Sequence, residues 1–128
     1  MGIRDISTVG EMATQIRTAI GVHGLWKQRI NSAIQTGTSE WQPAKVAPHN
    51  LCDFGQWLDT VPANHRDNHF NNVAVVHADF HKEAARVLQL AISGKTDEAT
   101  EAASRTSEYG KLTAKLTTSM MAWLKAIE

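Results

Sequence analysis

His77 and His81 stand four residues apart, one turn of an α-helix, so on a helix both imidazoles face the same way. Cα atoms about 6 Å apart would let both rings reach one ion at about 2.0–2.1 Å. The spacing arises often by chance, and the chain carries a second case in His65 and His69. What sets the first pair apart is its neighbours. His77 shares a row with Phe70, Ala84 and Ala91, and His81 shares the adjacent row with Ala74 and Leu88. His23 in turn falls in a row with Val9, Ile16 and Ile30, spaced by seven. All three histidines are therefore expected to point into a core, where a ring nitrogen without a partner is costly.

The chain has one cysteine, Cys52, so an intrachain disulfide is excluded and the sequence is not a disulfide-stapled secreted scaffold. A lone cysteine by itself reads as a small buried hydrophobe. Beside three inward histidines it reads as a fourth ligand. Three imidazoles and a thiolate make a closed tetrahedral set that suits zinc best. The expected metal ligands are His23, Cys52, His77 and His81. Two alternatives stay open on sequence: a local His49-x-x-Cys52 chelate, and a separate site at His65 and His69. His49 follows Pro48 in a loop, and His65 is expected to be solvated among Asn64, Arg66, Asp67 and Asn68. A catalytic metal would need an open coordination position and a nearby base. Four protein ligands leave none, and no Glu lies within the His77–His81 span, so no enzyme activity and no catalytic residue is expected.

Positioning these side chains calls for long helices. Helical periodicity runs from about Thr8 to Gln35, with Thr8-x-x-Glu11 as a capping box and Ala13, Ile20 and Ile34 beside the main row. A loop with Pro43 and Pro48 follows, then a short helix from about Asn50 to Leu58 carrying Cys52, Phe54, Trp57 and Leu58. A polar turn, Thr60 to Asn64, leads to a long helix from about His65 to Ser93, stopped by Gly94. The last helix is expected to start at Thr96 and run unbroken through Ala102, Thr106, Tyr109, Thr113, Leu116, Met120, Trp123 and Ile127. No strand-like alternation, repeat or low-complexity tract is present. The expected fold is all-α: an antiparallel four-helix-type bundle with one short helix carrying the cysteine, one domain over residues 1–128 with its core at about 8–127. Trp26, Trp57 and Trp123 are expected as packing residues, Met120 and Met121 as core filler, and Gly55 as a point of close backbone approach.

Length and charge fit this reading. A chain of 128 residues suits one core, and 13 basic against 13 acidic residues give no charge excess to hold nucleic acid or an acidic membrane. No apolar run approaches the roughly 20 residues that span a bilayer, and residues 1–18 do not read as a signal peptide.

The motifs together resemble the chemoreceptor zinc-binding (CZB) domain family. His23-Gly-Leu-Trp26-Lys27 resembles its first ligand helix. Cys52-Asp-Phe54-Gly55-Gln56-Trp57-Leu58 resembles its Cys-x-Phe/Leu-Gly-Lys-Trp run, with Gln56 where Lys is common. Val76-His77-Ala-Asp-Phe80-His81 resembles its His-x-x-x-His helix, and the likeness extends over about residues 8–128. The resemblance implies a cytoplasmic bacterial regulatory module, homodimeric, that senses zinc or oxidants such as hypochlorous acid through its zinc-bound cysteine. It further implies a signalling output, a chemoreceptor or a diguanylate cyclase, in cis or in trans. A purely structural zinc site in a dimerisation module would use the same ligands.

Overall fold

The computed structural model describes the backbone of residues 2–128 and the side chains of residues 9–128. Among these residues there are helices and no strand: α1 Gly2–Gly24, α2 Trp26–Thr36, α3 Pro43–Val46, α4 Asp53–Leu58, α5 Asn68–Ile92, α6 Thr96–Ala102 and α7 Glu108–Ile127. Short 3-10 turns, His49–Leu51 and Ala63–His65, precede α4 and α5. The long helices pack as a bundle with α5 at its centre, touching α2, α3, α6 and α7, while α1 packs on α7 and α4. Helices α5 and α7 run antiparallel. Phe70 near the start of α5 meets Trp123 near the end of α7, with ring centroids 5.8 Å apart, and Phe80 further along stacks on Tyr109 at the start of α7.

The heptad rows are the core. Ile16, Ile30, Ala84, Leu88, Leu116, Met120 and Trp123 are all buried, and one continuous apolar cluster joins them. Trp26 is buried with them and Trp57 is partly buried against the cluster. The expected pair of core methionines is corrected: Met120 is buried, whereas Met121 faces outward and is 56% exposed.

Helix boundaries differ from the sequence expectation in three places. The first helix begins at Gly2, upstream of Thr8, whose side chain lies outside the described residues; a capping pair at Thr8 is thus not a helix start. That helix also tightens once, at Leu25, whose N–H donates to the Val22 carbonyl three residues back before Arg29 resumes normal pairing with Leu25. The loop after it contains one further helical turn, α3, started by Pro43 at its first position, where a missing N–H costs nothing.

The third difference is a break in the last helix. Instead of one element there are two, α6 and α7, parted at residues 103–107. The Ser107 hydroxyl accepts from the Gly110 N–H at 3.1 Å and donates to the Ser104 carbonyl at 2.6 Å, an N-cap that starts α7 afresh. Thr106, expected on the inward row, is exposed. The turn folds back so closely that a Cβ on Gly110 would collide with the Ser104 carbonyl oxygen and approach the Arg105 carbonyl oxygen to 2.6 Å.

This break has a measurable sign. Ser107→Ala should lower the unfolding free energy by about 1 kcal/mol through loss of the cap. Gly110→Ala should cost about 1–3 kcal/mol through overpacking. Denaturant midpoints report both. Were the helix continuous, Gly110→Ala would instead stabilise the protein, as glycine-to-alanine changes do inside helices.

Candidate metal centre

Four side chains from two helices and one cap position converge. His23 projects from the last turn of α1, His77 and His81 from the middle of α5, and Cys52 from the residue that caps α4. One donor atom from each lies within 4.8 Å of the others. His23, His77 and His81 are 6%, 0% and 3% exposed, so this is an interior cluster and not a set of surface groups.

Local structure explains each position. The α5 spacing sets the two rings edge to face, with centroids 4.5 Å apart and Nε2 atoms 3.0 Å apart. The Asp67 carboxylate caps this helix by accepting from the Phe70 N–H. Pro48 starts the His49–Leu51 turn, and Cys52 then adopts an extended backbone (φ −84, ψ 156) that aims its sulfur at α5. The Cys52 Sγ lies 3.3 Å from His77 Nε2 and accepts from the Gly55 N–H at 3.3 Å. Gly55 is required for this approach, because a Cβ there would collide with the His49 carbonyl oxygen and lie 2.8 Å from its carbon. That is the close backbone approach expected of Gly55.

Two backbone carbonyls fix the ring tautomers. His23 Nδ1 lies 2.8 Å from the Ala19 carbonyl, and His81 Nδ1 lies 2.8 Å from the Val46 carbonyl. A carbonyl only accepts, so both Nδ1 atoms carry the proton and donate it. Both Nε2 atoms are left with an unprotonated lone pair. Sequence reasoning named neither acceptor. Val46 is the last residue of α3, where a helix leaves carbonyls without internal partners. The signal was present in Pro43 and Pro48, which bracket a turn too short to use its own final carbonyls.

The electrostatics are those of a largely desolvated cluster. Burial is the main cause that drives the His77 pKa down to about 2, with the neighbouring His81, His23 and His49 adding to it. Burial likewise lowers His23 to about 4, opposed by its bond to Ala19, and lowers His81, opposed by its bond to Val46. Burial raises the Cys52 thiol, opposed by the Gly55 and Phe54 N–H groups. The 3.0 Å contact between the His77 and His81 Nε2 atoms needs a proton or a cation between them, and His77 Nδ1 is buried without a hydrogen-bond partner. Bare, this arrangement is unfavourable; around a positive ion it is favourable. Donors around tetrahedral zinc stand about 3.3–3.7 Å apart. The observed 3.0 and 3.3 Å contacts are close to that size, and the donor set fits zinc.

The remaining histidines stay out of the cluster. His49 is exposed, its ring 6.1 Å from that of His77, and its carbonyl lies 3.5 Å from the Cys52 sulfur. His65 sits in the 3-10 turn and His69 in the first turn of α5, both partly buried. Glu83 pairs with Arg86 at 2.9 Å. Asp53 and Asp79 are exposed.

Comparison with known protein families agrees with this geometry. The family model for the chemoreceptor zinc-binding domain matches residues 23–88. The chain belongs to the CZB family. The match begins at His23 and encloses Cys52, His77 and His81, so every member of the cluster falls within it. Zinc is the metal of a CZB domain. No curated protein and no solved structure gives a significant match.

The pKa values set a pH dependence. A histidine whose folded pKa lies below its unfolded value of 6.5 binds more protons when unfolded. Its contribution is complete above about pH 6.5 and is lost as pH falls toward the folded values, about 4 for His23 and about 2 for His77. Chelator-treated CZB domain should therefore lose unfolding free energy progressively between pH 6.5 and 4, measured by denaturant titration at each pH. A flat profile across that window would mean that the rings are solvated.

Proposed function

We propose that this CZB domain is a zinc-dependent sensory module in which His23, Cys52, His77 and His81 bind one zinc ion and Cys52 is the reactive group. The observation that carries the reading is the convergence of three buried imidazoles and one sulfur within 4.8 Å, in a site where Ala19 and Val46 have already fixed two of the rings. When bound, zinc supplies a Lewis acid that holds Cys52 as the thiolate and ties α1, α4 and α5 together. Four protein donors leave no open position for a substrate, so the reading is regulatory and not catalytic. One continuous core supports treating the chain as a single domain.

Cys52 has two roles with opposite requirements. As a ligand it must be held as an anion; as a sensor it must be reached. It is half-buried, unlike the three histidines, and so meets both. With hypochlorous acid as the two-electron oxidant, the Cys52 thiolate becomes a sulfenic acid and chloride leaves, the oxygen passing to sulfur. The oxidised sulfur is a poorer donor. The short helix α4 buries only Phe54, Gly55 and Leu58, so its attachment depends heavily on Cys52. Its release from α5 is a two-state change that an output domain, a chemoreceptor or a diguanylate cyclase, would read.

No helix of the described residues is long and apolar enough to cross a membrane, which supports a cytoplasmic setting. We also propose a homodimer, on the family's precedent. The heptad rows do not supply its surface, since they are buried inside the protomer. The most exposed large apolar side chains of the two antiparallel helices, Val75 at 63% and Met121 at 56%, remain for a second copy. A monomer by light scattering at high micromolar concentration would reject the dimer.

Elemental analysis tests the ligand set. Wild type should hold about one zinc per chain, and Cys52→Ala, His77→Ala and His81→Ala should lose most of it, whereas His65→Ala and His69→Ala should keep it. Stoichiometric hypochlorous acid should release zinc from wild type, and a thiol reductant with added zinc should restore it. Zinc that stays bound to an oxidised Cys52 would leave a purely structural site.

A further inference from the structure

A cavity of about 390 Å³ opens beside the centre, and His23, Cys52 and His81 form part of its wall. It is an approach from outside to the one half-buried member of the cluster. The opposite wall has a composition that zinc binding does not require. Arg29 of α2 lies over two indoles that touch each other edge-on, its guanidinium carbon 4.8 Å from the Trp26 ring and 4.2 Å from the Trp41 ring. Lys45 of α3 lines the same cavity, and Asp53 is the one acidic residue in its wall.

Neither cation is in an ion pair, and in the cavity wall the two outnumber the single carboxylate of Asp53. Among the described residues, the ion pairs join Arg17 to Glu128 and Arg86 to Glu83; Arg29 and Lys45 enter neither. Arg29 is held by faces of aromatic rings, which position a cation without cancelling its charge. Apolar walls beside fixed charges of one sign focus the field into a cleft and raise the local concentration of the opposite ion. Trp26, Val46 and Phe54 supply such walls here.

We propose that this cavity is an anion-selective port to Cys52, in which Arg29, seated over Trp26 and Trp41, and Lys45 draw small monoanionic oxidants and electrophiles to the sulfur. The inference rests on Cys52 being the reactive group. It adds a basis for choosing among reagents of equal intrinsic reactivity: charge, read before the sulfur is met.

The test compares two alkylating agents of the same size and chemistry on the zinc-loaded full chain. With iodoacetate and with iodoacetamide alike, Cys52 sulfur forms a bond to the methylene carbon, the carbon–iodine bond breaks, and iodide leaves. Only the charge differs, so the ratio of the two rates, read by mass spectrometry, cancels the intrinsic reactivity of the thiolate. The ratio of iodoacetate to iodoacetamide should fall roughly three- to tenfold in the Arg29→Gln/Lys45→Gln double variant, and should also fall in wild type at high salt. Arg29→Lys should keep most of it, and Lys95→Gln, on the remote α5–α6 connection, should keep all of it. Lys45→Gln alone, an exposed position, gives a smaller fall in the same direction if the double variant does not hold zinc. An unchanged ratio in the charge-removed variants, with Cys52 still alkylated, overturns the port and leaves the zinc-thiolate reading standing. Failure of both reagents to modify Cys52 in wild type overturns the port and the reading of Cys52 as the reactive group, and leaves the zinc site itself standing.

Discussion

The crowding of four donor groups is the constraint on which the rest of the structure depends. Three imidazoles and a sulfur within 4.8 Å of one another need a proton or a cation between their facing lone pairs, and the three rings are buried. The protein commits to this arrangement before any ion arrives. The Ala19 and Val46 carbonyls lock the tautomers of His23 and His81, and burial keeps all three rings neutral at physiological pH. Preorganisation of this kind places the cost in the fold and leaves the gain to the metal.

The donors are not equally supported. His77 and His81 belong to α5, the helix against which most of the bundle packs, and His23 ends a long helix whose preceding turns are in the core. Cys52 is attached to a six-residue helix, flanked by 3-10 turns. A change at the centre is therefore expected to move α4 and leave α5 and α7 in place. The chemically labile donor is also the mechanically weakest one. That coincidence supports the proposed switch.

The parts of this legible in the sequence were those set by spacing over many turns. The rows of Ile16, His23 and Ile30, and of Phe70, His77 and Ala84, placed the histidines inward because burial repeats with the helix period. What escaped were single turns. The turn Pro43–Val46 is too short to show a period, yet its last carbonyl orients His81. The break at residues 103–107 was hidden because Ala102 and Tyr109 are seven apart, so the apolar row continues across the gap as if a helix joined them. Ser107 followed by Glu108 is a helix-start signal that the continuous row masks. Which His-x-x-x-His pair faces the cysteine was weighed on surroundings alone; the geometry brings His77 and His81 to Cys52 and leaves His65 and His69 outside.

The central claim is that one zinc ion is held by three imidazoles and one thiolate from this set. X-ray absorption at the zinc edge of the purified, zinc-loaded protein reads the donors directly. The account predicts one sulfur at about 2.3 Å and three nitrogens at about 2.0–2.1 Å, with no coordinated water. In Cys52→Ser the sulfur shell should vanish. A wild-type spectrum without sulfur, or with two or more light-atom positions filled by solvent, would contradict the account.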